Sequence, residues 1–343
     1  MARYLITGGC GFVGSNLADS LLRDKHEVVV FDNLSRKGTE KNLNWLETNH
    51  QGKFRFIKGD IRDFPALQKA VDGPFDAVYH TAGQVAVTTS VTNPREDFEI
   101  NALGTFNVLE AIRLAKIDPV VIFTSTNKVY GGMEDVKVIE RNGRYDYETL
   151  PDGADESRPL DFHSPYGCSK GTADQYVRDY ARIYGMKTVV FRMSCQYGIR
   201  QFGNEDQGWV VHFVIAAHFG KTINIYGDGK QVRDMLFIED LVRAFRMATA
   251  RIDDIKGEIF NIGGGPDNVM SLLELVAHME KVTGRKIELK FGPWRPGDQP
   301  VFITNVAKAK ARFGWAPTIS KTDGVERLYR WVAANEPLFD HMR

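Results

Sequence analysis

Short apolar segments alternate with segments of helical periodicity along the first half of the chain, and this alternation limits the possible folds most strongly. The strand-like segments are rich in valine and isoleucine and cover 27–32, 53–58, 75–80, 119–125 and 187–194. Helical patterns cover 12–24, 64–71, 94–116 and 165–184. Strands that alternate with helices are typical of a parallel sheet with helices on both faces. We therefore predict an α/β fold with a doubly wound parallel sheet.

The second half of the chain has a looser pattern. After about residue 195, short strand-like segments alternate with helices up to a predicted helix over 272–283, and a Pro/Gly-rich loop follows at 292–297. We predict one domain over 1–194, to which 238–262 return, and a smaller α/β C-terminal lobe over 195–343 at the carboxyl edge of the sheet. The polar segment 132–162 lacks clear periodicity, and the alternatives for it are a lid, an oligomer contact or a plain surface insertion.

Charge balance and hydropathy narrow the class of function. Lys plus Arg and Asp plus Glu both number 44, so the net charge offers no global attraction to nucleic acid or to an anionic membrane. No apolar segment approaches the roughly 20 residues of a membrane helix, and the chain enters a strand at once without a signal peptide. The three cysteines are widely spaced, which favours reduced thiols in a cytoplasmic protein. The eight histidines show no metal-ligand spacing, so no metal site is expected.

A glycine-rich motif, Thr7-Gly-Gly-Cys-Gly-Phe-Val-Gly14, lies between the first strand and the first helix. It fits G-x-G-x-x-G, and Asp32 follows at the end of the second strand, which is the context of a dinucleotide site. Glycines let the backbone approach a pyrophosphate at a helix N-terminus, and the carboxylate binds ribose hydroxyls and repels a 2′-phosphate. The motif predicts a Rossmann-type sheet that prefers NAD to NADP, although Arg36 and Lys37 lie nearby. The alternative is a glycine-rich turn without a ligand.

A second motif, Ser164-Pro-Tyr-Gly-Cys-Ser-Lys170, opens a predicted helix. Serine can cap a helix and proline suits its first turn, so Tyr166 and Lys170 lie four residues apart on one face. An ammonium beside a phenol favours the phenolate, so we predict a lowered pKa for Tyr166 and a role in proton transfer. The alternative is an ordinary helix surface. The functional interpretation is favoured because the motif follows the segment TSTNKVYG (124–131) by about forty residues.

These features together resemble the extended short-chain dehydrogenases/reductases that act on nucleotide sugars. The resemblance covers nearly the whole chain and rests on the two motifs above, Asp32, Gly59-Asp-Ile-Arg-Asp63, a threonine before Val-Tyr-Gly, and the late Arg-Pro-Gly-Asp298. It implies a catalytic triad in which Thr126 binds the sugar hydroxyl, Tyr166 exchanges its proton and Lys170 holds the nicotinamide ribose.

The resemblance also implies the residues that contact the cofactor and the substrate. The NAD contacts are Gly8, Gly11, Phe12, Val13, Asp32, Asn33, Ser35, Arg36, Asp60, Ile61, Ala82, Gln84, Asn101, Thr124, Tyr166 and Lys170. The substrate contacts are Gln84, Thr126, Asn127, Tyr166, Cys195, Arg233 and Arg295, and the two arginines match positions that clamp a diphosphate. Open alternatives are a structural hydrogen bond for Gln84 and Asn127, a small buried residue for Cys195 and a solvated loop charge for Arg295.

The two residues after Thr126 discriminate between the reactions of this family. Its 4,6-dehydratases carry Asp and Glu there, as the acid and base that eliminate water, whereas this chain carries Asn127 and Lys128. Asparagine cannot donate a proton as an acid, and a lysine is ordinarily a cation that cannot act as a base. Dehydration is therefore disfavoured. What remains is oxidation of a carbinol and reduction of the ketone from its opposite face, which is epimerisation.

Denser similarity points to one class of epimerase. The segments AGQVAVTTS (82–90), STNKVYG (125–131), DFHSPYGCSKG (161–171), RMSCQYG (192–198) and QFGNEDQGW (201–209) resemble the CDP-paratose 2-epimerases. This implies reversible inversion at C2 of a CDP-sugar, either CDP-paratose or CDP-glucose, with tightly bound NAD and a homodimer or homotetramer. No nucleic-acid or membrane partner is expected. The alternatives are a UDP- or GDP-sugar 4-epimerase and a non-catalytic NAD-binding protein.

Overall fold

The computed structural model describes residues 1–205, 207–295 and 298–342. In chain order the strands are β1 (Arg3–Thr7), β2 (Glu27–Asp32), β3 (Phe54–Lys58), β4 (Ala77–His80), β5 (Val120–Thr126), β6 (Val138–Arg141), β7 (Arg144–Tyr147), β8 (Thr188–Met193), β9 (Cys195–Tyr197), β10 (Ile223–Tyr226), β11 (Val232–Phe237), β12 (Ile259–Ile262), β13 (Val269–Ser271), β14 (Leu289–Gly292) and β15 (Val301–Phe302).

The α-helices are α1 (Phe12–Arg23), α2 (Thr39–Asn49), α3 (Phe64–Ala70), α4 (Val87–Thr92), α5 (Pro94–Phe98), α6 (Gly104–Leu114), α7 (Ser164–Tyr184), α8 (Trp209–His218), α9 (Ile238–Ala250), α10 (Ile252–Ile255), α11 (Leu272–Thr283), α12 (Ala307–Phe313) and α13 (Lys321–Ala334). A π-helical turn, Glu99–Leu103, joins α5 to α6, and short 3-10 helices cover Asn127–Tyr130, Pro266–Asn268 and Glu336–Met342.

Seven parallel strands form the central sheet in the order β12-β8-β5-β4-β1-β2-β3, which confirms the predicted fold class. Alternate residues of each strand enter opposite layers of the core, as along β2, where Val28 and Val30 pack with α1 while Val29 and Phe31 pack with α3 and α6. The strand order reverses between β1 and β4. In open parallel sheets, ligands bind at the carboxyl ends of the strands beside such a reversal.

The second lobe rests against this carboxyl edge. Strands β9, β11, β13 and β15 form one small sheet, β10 and β14 form a parallel pair, and α8, α11 and α13 pack around them. The chain also returns to the large sheet, because β12 pairs with β8 and α9 packs on α1. The domain bounds predicted from the sequence stay a prediction.

Segment 132–162 contains a β-hairpin, β6–β7, that packs on the second lobe. Tyr145 donates its backbone N–H to the carbonyl of Lys230 (3.1 Å) and its hydroxyl to Asp228 (2.6 Å). The Tyr147 hydroxyl donates to the carbonyl of Val301 at 3.0 Å. The segment is therefore built into the second lobe through backbone and side-chain hydrogen bonds. Over the described part of the chain, we find no helix with the length and apolar character needed to cross a membrane.

Candidate active site

The glycine motif forms a tight turn between β1 and α1. Gly8 has a φ of 70°, and a side chain there would stand 2.6 Å from the backbone of Ala82. A Cβ on Gly14 would lie 2.3 Å from the carbonyl oxygen of Gly8, so helix and turn pack too closely for any side chain. Gly11 differs, since its Cβ would meet only the Gly8 oxygen, at 3.1 Å. No side chain caps α1, so its N-terminal N–H groups face the space in front of Gly11 and favour an anion.

The ends of β2 and β3 supply the polar groups predicted to bind adenosine. Asp32 is buried and accepts the N–H groups of Cys10 (3.0 Å) and Leu34 (2.8 Å), and burial raises its pKa despite these bonds. Asn33 donates to Asp60 at 2.8 Å and so ties the two strand ends together. Ion pairing with Arg62 lowers the pKa of Asp60 to about 2.

The remaining predicted cofactor residues surround the same turn. Ile61 lies beneath Gly104 of α6, whose Cβ would meet its side chain, and the hydroxyl of Thr124 donates to the carbonyl of His80 at 3.2 Å. Ser35 and Arg36 are exposed, and the charge of Arg36 is close enough to act on the Tyr166 phenol. Phe12 and Val13, at the start of α1, line the cavity that also contains Thr126 and Tyr166. The start of α1 and two of the predicted triad residues, Thr126 and Tyr166, therefore share one cleft.

The triad residues meet where β5 ends and α7 begins. Thr126 is the last residue of β5, and its side chain hydrogen-bonds the hydroxyl of Tyr166. The Thr126 oxygen also accepts the N–H of Lys128 at 3.2 Å, which fixes the hydroxyl at the strand end. One turn further along α7, the Lys170 ammonium lies 4.2 Å from the centre of the Phe123 ring. All three side chains are buried, and Thr126 and Tyr166 line the cleft.

Burial reverses the predicted pKa of Tyr166, and that prediction is wrong for this structure. The pKa of the phenol is raised to about 12, because removal from water disfavours the phenolate more than Thr126 and Arg36 favour it. Burial also lowers the pKa of Lys170 to about 7, against the opposing charges of Asp174 and Asp97. The helical spacing places the two groups on one face but does not show how little water reaches them.

A buried polar network supports the triad from α5, the π-helical turn and α7. Ser169 donates to Asp97 at 2.5 Å, and the Asn101 amide donates to Asp97 and to Ser169, each at 3.1 Å. The Asn101 carbonyl accepts the N–H of Gln84 at 2.9 Å, and the Gln84 amide donates to Asp97 at 3.0 Å and to Ala86 at 2.8 Å. The side chains of Asn101 and Gln84 are therefore held by protein groups. For Gln84 this agrees with the alternative that its side chain makes a structural hydrogen bond.

The opposite end of the cleft carries the two predicted diphosphate arginines. Arg233, in β11, pairs with Asp298 at 2.5 Å. The Arg295 guanidinium lies 4.0 Å above the Tyr226 ring and donates to the carbonyl of Glu205 at 2.9 Å, so it is an ordered part of the wall. The residues between Arg295 and Asp298 lie outside the described part of the chain, and they include the proline and glycine of the Arg-Pro-Gly-Asp motif.

Two further predicted substrate residues line the middle of this cleft, which has a volume of about 410 Å³. Asn127 accepts the hydroxyl of Thr126 at 3.4 Å and faces the cavity. Cys195 begins β9 in the cavity wall, and burial raises the pKa of its thiol to about 12, so it is neutral. Among the described residues, no group of three or more His, Cys, Asp or Glu side chains is arranged to hold a metal ion.

Comparison with known proteins identifies this arrangement. A sequence model of the GDP-mannose 4,6 dehydratase family matches residues 5–328. The chain belongs to this family of extended short-chain dehydrogenases/reductases. Within the family, the chain is 47% identical to CDP-paratose 2-epimerase of Salmonella typhi, over 97% of this chain and 99% of the relative. It is 32% identical to UDP-glucose 4-epimerase of Mycolicibacterium smegmatis, over 95% and 96% of the two chains.

The fold of a solved member of the family agrees closely. A dTDP-glucose 4,6-dehydratase from Streptomyces venezuelae, crystallised with NAD, is similar with a TM-score of 0.85 and 29% identity, over 99% of this chain and 100% of that one. The family thus includes both epimerases and dehydratases on one scaffold.

A buried ion pair beneath this site was not predicted from the sequence. Arg192, in β8, makes two bonds to Asp174 of α7, at 2.8 and 2.9 Å, and both side chains are buried. Ser125 donates to the same carboxylate at 2.8 Å. The sequence offers a signal for it, because Asp174 follows Lys170 by one helical turn and Arg192 interrupts an apolar strand.

The Gly11→Val variant tests the predicted cofactor site. We expect the variant to fold but to lose at least tenfold in NAD affinity, because the added side chain occupies the space before the α1 N-terminus. Affinity is measured by calorimetry on protein stripped of nucleotide. Gly73→Val is the matched control, since its Cβ also meets one atom at 3.1 Å but lies outside the cleft. Full NAD binding by Gly11→Val would contradict the assignment of this turn.

Proposed function

We propose that the protein is an NAD-dependent epimerase that inverts C2 of a CDP-linked hexose, as a CDP-paratose 2-epimerase does. The observation that carries the proposal is a cleft lined by Thr126 and Tyr166 and by Arg233 and Arg295, with Lys170 buried one helical turn after Tyr166. Such a cleft suits a nucleotide sugar whose diphosphate lies at the arginines and whose ring reaches the triad.

The acidic residues of the cleft weigh against dehydration. Among the described lining residues, the carboxylates are Glu205 and Asp298. Glu205 accepts the Asn224 amide at 2.8 Å and Asp298 pairs with Arg233. Both belong to the arginine end, whereas elimination of water needs an acid and a base beside the reacting carbon. Asn127 and Lys128 occupy the positions next to Thr126, so epimerisation is the reaction that this cleft supports.

The residues fit NAD at the glycine turn. Gly8 and Gly11 leave the α1 N-terminus open to a pyrophosphate, and the buried Asp32 lies opposite, at the end of β2. A bound NAD would supply the reversible hydride acceptor that oxidation of the carbinol and reduction of the ketone require. Because each cycle restores NAD, the cofactor stays bound in this proposal.

The protein's own part in the reaction is proton transfer and orientation. Thr126 holds the sugar hydroxyl beside the phenol of Tyr166, which takes the proton as the ketone forms and gives it back after the sugar has turned over. A positive charge placed beside the phenol lowers its pKa from about 12 towards the working range. Arg233 and Arg295 keep the diphosphate anchored while the keto sugar rotates, since a guanidinium binds phosphate oxygens in a fixed fork.

Substrate labelled with deuterium at C2 tests the proposed mechanism. In the presence of the purified protein and with no NAD added, we expect the epimerised product to keep its deuterium. Loss of the label to solvent before product forms would show enolisation and contradict the mechanism.

The second candidate is a UDP- or GDP-sugar 4-epimerase. The 32% identity to a UDP-glucose 4-epimerase supports this candidate. The greater identity to the 2-epimerase favours C2. CDP-glucose separates the two, because inversion at C2 gives the manno product and inversion at C4 the galacto product. A screen of CDP-, UDP- and GDP-hexoses, with products identified by stereochemistry, identifies the nucleotide as well.

We further propose a homodimer or homotetramer built on α6 and α7. These packed helices and the preceding turn expose large apolar side chains, namely Phe98, Leu103, Leu114, Tyr176, Ile183 and Tyr184. Clusters of this kind on a protein surface mark contact sites. We expect Ile183→Arg to yield a monomer by light scattering, whereas Phe291→Arg, at an exposed position on β14, leaves the oligomer intact. An unchanged oligomer in Ile183→Arg would contradict this interface.

The state of the three cysteines supports a proposal that the protein is cytoplasmic. Cys10 is buried, Cys168 is exposed and Cys195 lies in the cleft wall, and the three are free thiols. Free thiols persist in a reducing compartment, which favours the cytoplasm.

A further inference from the structure

Lys128 connects the triad to the arginine end of the cleft. Its backbone N–H donates to the Thr126 hydroxyl oxygen at 3.2 Å, so its main chain is fixed at the proton-transfer site. Its side chain runs along the cleft wall, and the ammonium donates to Gln299 at 3.1 Å. Gln299 is itself buried and donates to the carbonyl of Gly131 at 2.5 Å. The ammonium is therefore held at a defined point in the cleft.

Within residues 1–205, 207–295 and 298–342, Lys128 forms no ion pair, although the charge of Asp298 acts to raise its pKa. Arg233 lies close enough to lower the pKa of Lys128, which burial and this charge together bring to about 8. Asp298 pairs with Arg233, so two cations face one anion here. A cleft with an excess positive charge and spare N–H donors favours an anionic ligand group.

The position of the charge bears on which carbon reacts. In a nucleotide sugar, C2 adjoins the anomeric carbon that carries the diphosphate, whereas C4 lies across the ring. A site that presents C2 to Tyr166 must therefore hold the sugar-proximal phosphate nearer to the triad than a site that presents C4. Lys128 connects the two ends of the cleft, because its backbone N–H is bonded to Thr126 while its ammonium is close enough to Arg233 for that charge to lower its pKa, and it therefore suits this task.

We propose that Lys128 is a positioning residue that binds the sugar-proximal phosphate of the substrate and thereby presents C2 to the triad. The proposal rests on the proposed function for the identity of the reacting carbon. The phosphate contact does not depend on turnover, so it can be measured on its own. Lysine suits a pivot because its three N–H donors sit on a rotating ammonium, which can keep a phosphate bond while the sugar turns.

Binding of CDP and CMP by the NAD-loaded protein tests the contact. CDP carries the phosphate that becomes sugar-proximal in the substrate, and CMP lacks it. We expect Lys128→Met to weaken CDP binding about 10- to 100-fold, the effect of one charge-assisted hydrogen bond, and to change CMP binding less than twofold. Lys128→Arg should restore part of the preference for CDP. The control is Lys137→Met, which removes an exposed lysine paired with Glu148 on the hairpin.

The outcomes separate this proposal from the proposed function. Unchanged CDP affinity in Lys128→Met, or an equal loss for CDP and CMP, would overturn the phosphate contact even if the wild type inverts C2. A selective loss of CDP binding in Lys128→Met would support the phosphate contact even if the wild type acts on another carbon. In that case the claim that Lys128 presents C2 would fail together with the proposed function. NAD content and thermal stability equal to those of the wild type show that the variant is folded.

Discussion

Replacing Tyr166 by phenylalanine is expected to lower kcat about 100- to 10,000-fold while the protein keeps its NAD. The variant keeps the ring and its packing in the cleft but loses the hydroxyl that hydrogen-bonds Thr126 and is proposed to transfer the proton. Turnover is measured as epimerised CDP-sugar, and bound NAD is measured after denaturation of the protein. Because NAD binding does not need the hydroxyl proton, we expect turnover to fall while the amount of bound NAD stays unchanged.

Tyr176→Phe is the matched control for this experiment, since Tyr176 lies on the same helix but is exposed. It should keep full turnover. If Tyr166→Phe kept more than a tenth of wild-type turnover, the proton would have to travel through another group. A parallel loss of NAD and turnover would instead show that the variant disturbs the cofactor site.

Arg192→Met is expected to lower the free energy of unfolding by about 3–5 kcal/mol. The change leaves the Asp174 carboxylate buried without its two guanidinium bonds, and this carboxylate also accepts Ser125, next to the triad threonine. Arg192 further donates to Tyr130 at 3.1 Å, and Tyr130 donates to Asn261 at 2.7 Å, so the pair connects β5, β8 and β12. Urea denaturation followed by circular dichroism measures the loss.

Two control variants show whether the loss of stability comes from the buried charge of Asp174. Arg95→Met removes an exposed pair with Glu99 and should cost only about 0.3–0.5 kcal/mol. The double variant Asp174→Leu/Arg192→Met should recover most of the lost stability, because the penalty comes from an uncompensated buried charge. A single variant that loses less than 1 kcal/mol would show that water or a rearranged side chain compensates Asp174.

The central strands of the large sheet could be predicted closely because they are short apolar runs buried on both faces, as β5 and β8 are. The prediction of 27–32 matches β2, and 187–194 exceeds β8 by one residue at each end. Helix α2 was missed because its sequence, Thr39–Asn49, is mostly polar and buries only part of one face. The single helix predicted over 94–116 is divided by the π-helical turn. That turn places Asn101 in the network beneath the cleft, and such turns are frequent at functional sites.

The site could be predicted as a set of residues but not in its electrostatics. Thr126 and Tyr166 line one cleft, and Lys170 is buried one turn further along α7, because the sequence places them at a strand end and on the first turns of a helix. The pKa of Tyr166 depends on how completely the second lobe and the loops exclude water, and no local pattern encodes that. The orientation of Gln84 was likewise undetermined, since its partners Ala86 and Asp97 compete with any ligand for the same amide.

The path of the chain through the large sheet has a consequence for biosynthesis. Strand β12 closes the edge beside β8, and its Phe260 packs against Phe313 of α12 with ring centres 5.0 Å apart. A nascent chain that has emerged only as far as β8 thus leaves that strand without its neighbour and its apolar cover. Residues 259–262 must leave the ribosome before the sheet can be completed, so a chaperone that shields the exposed edge of β8 would act until then.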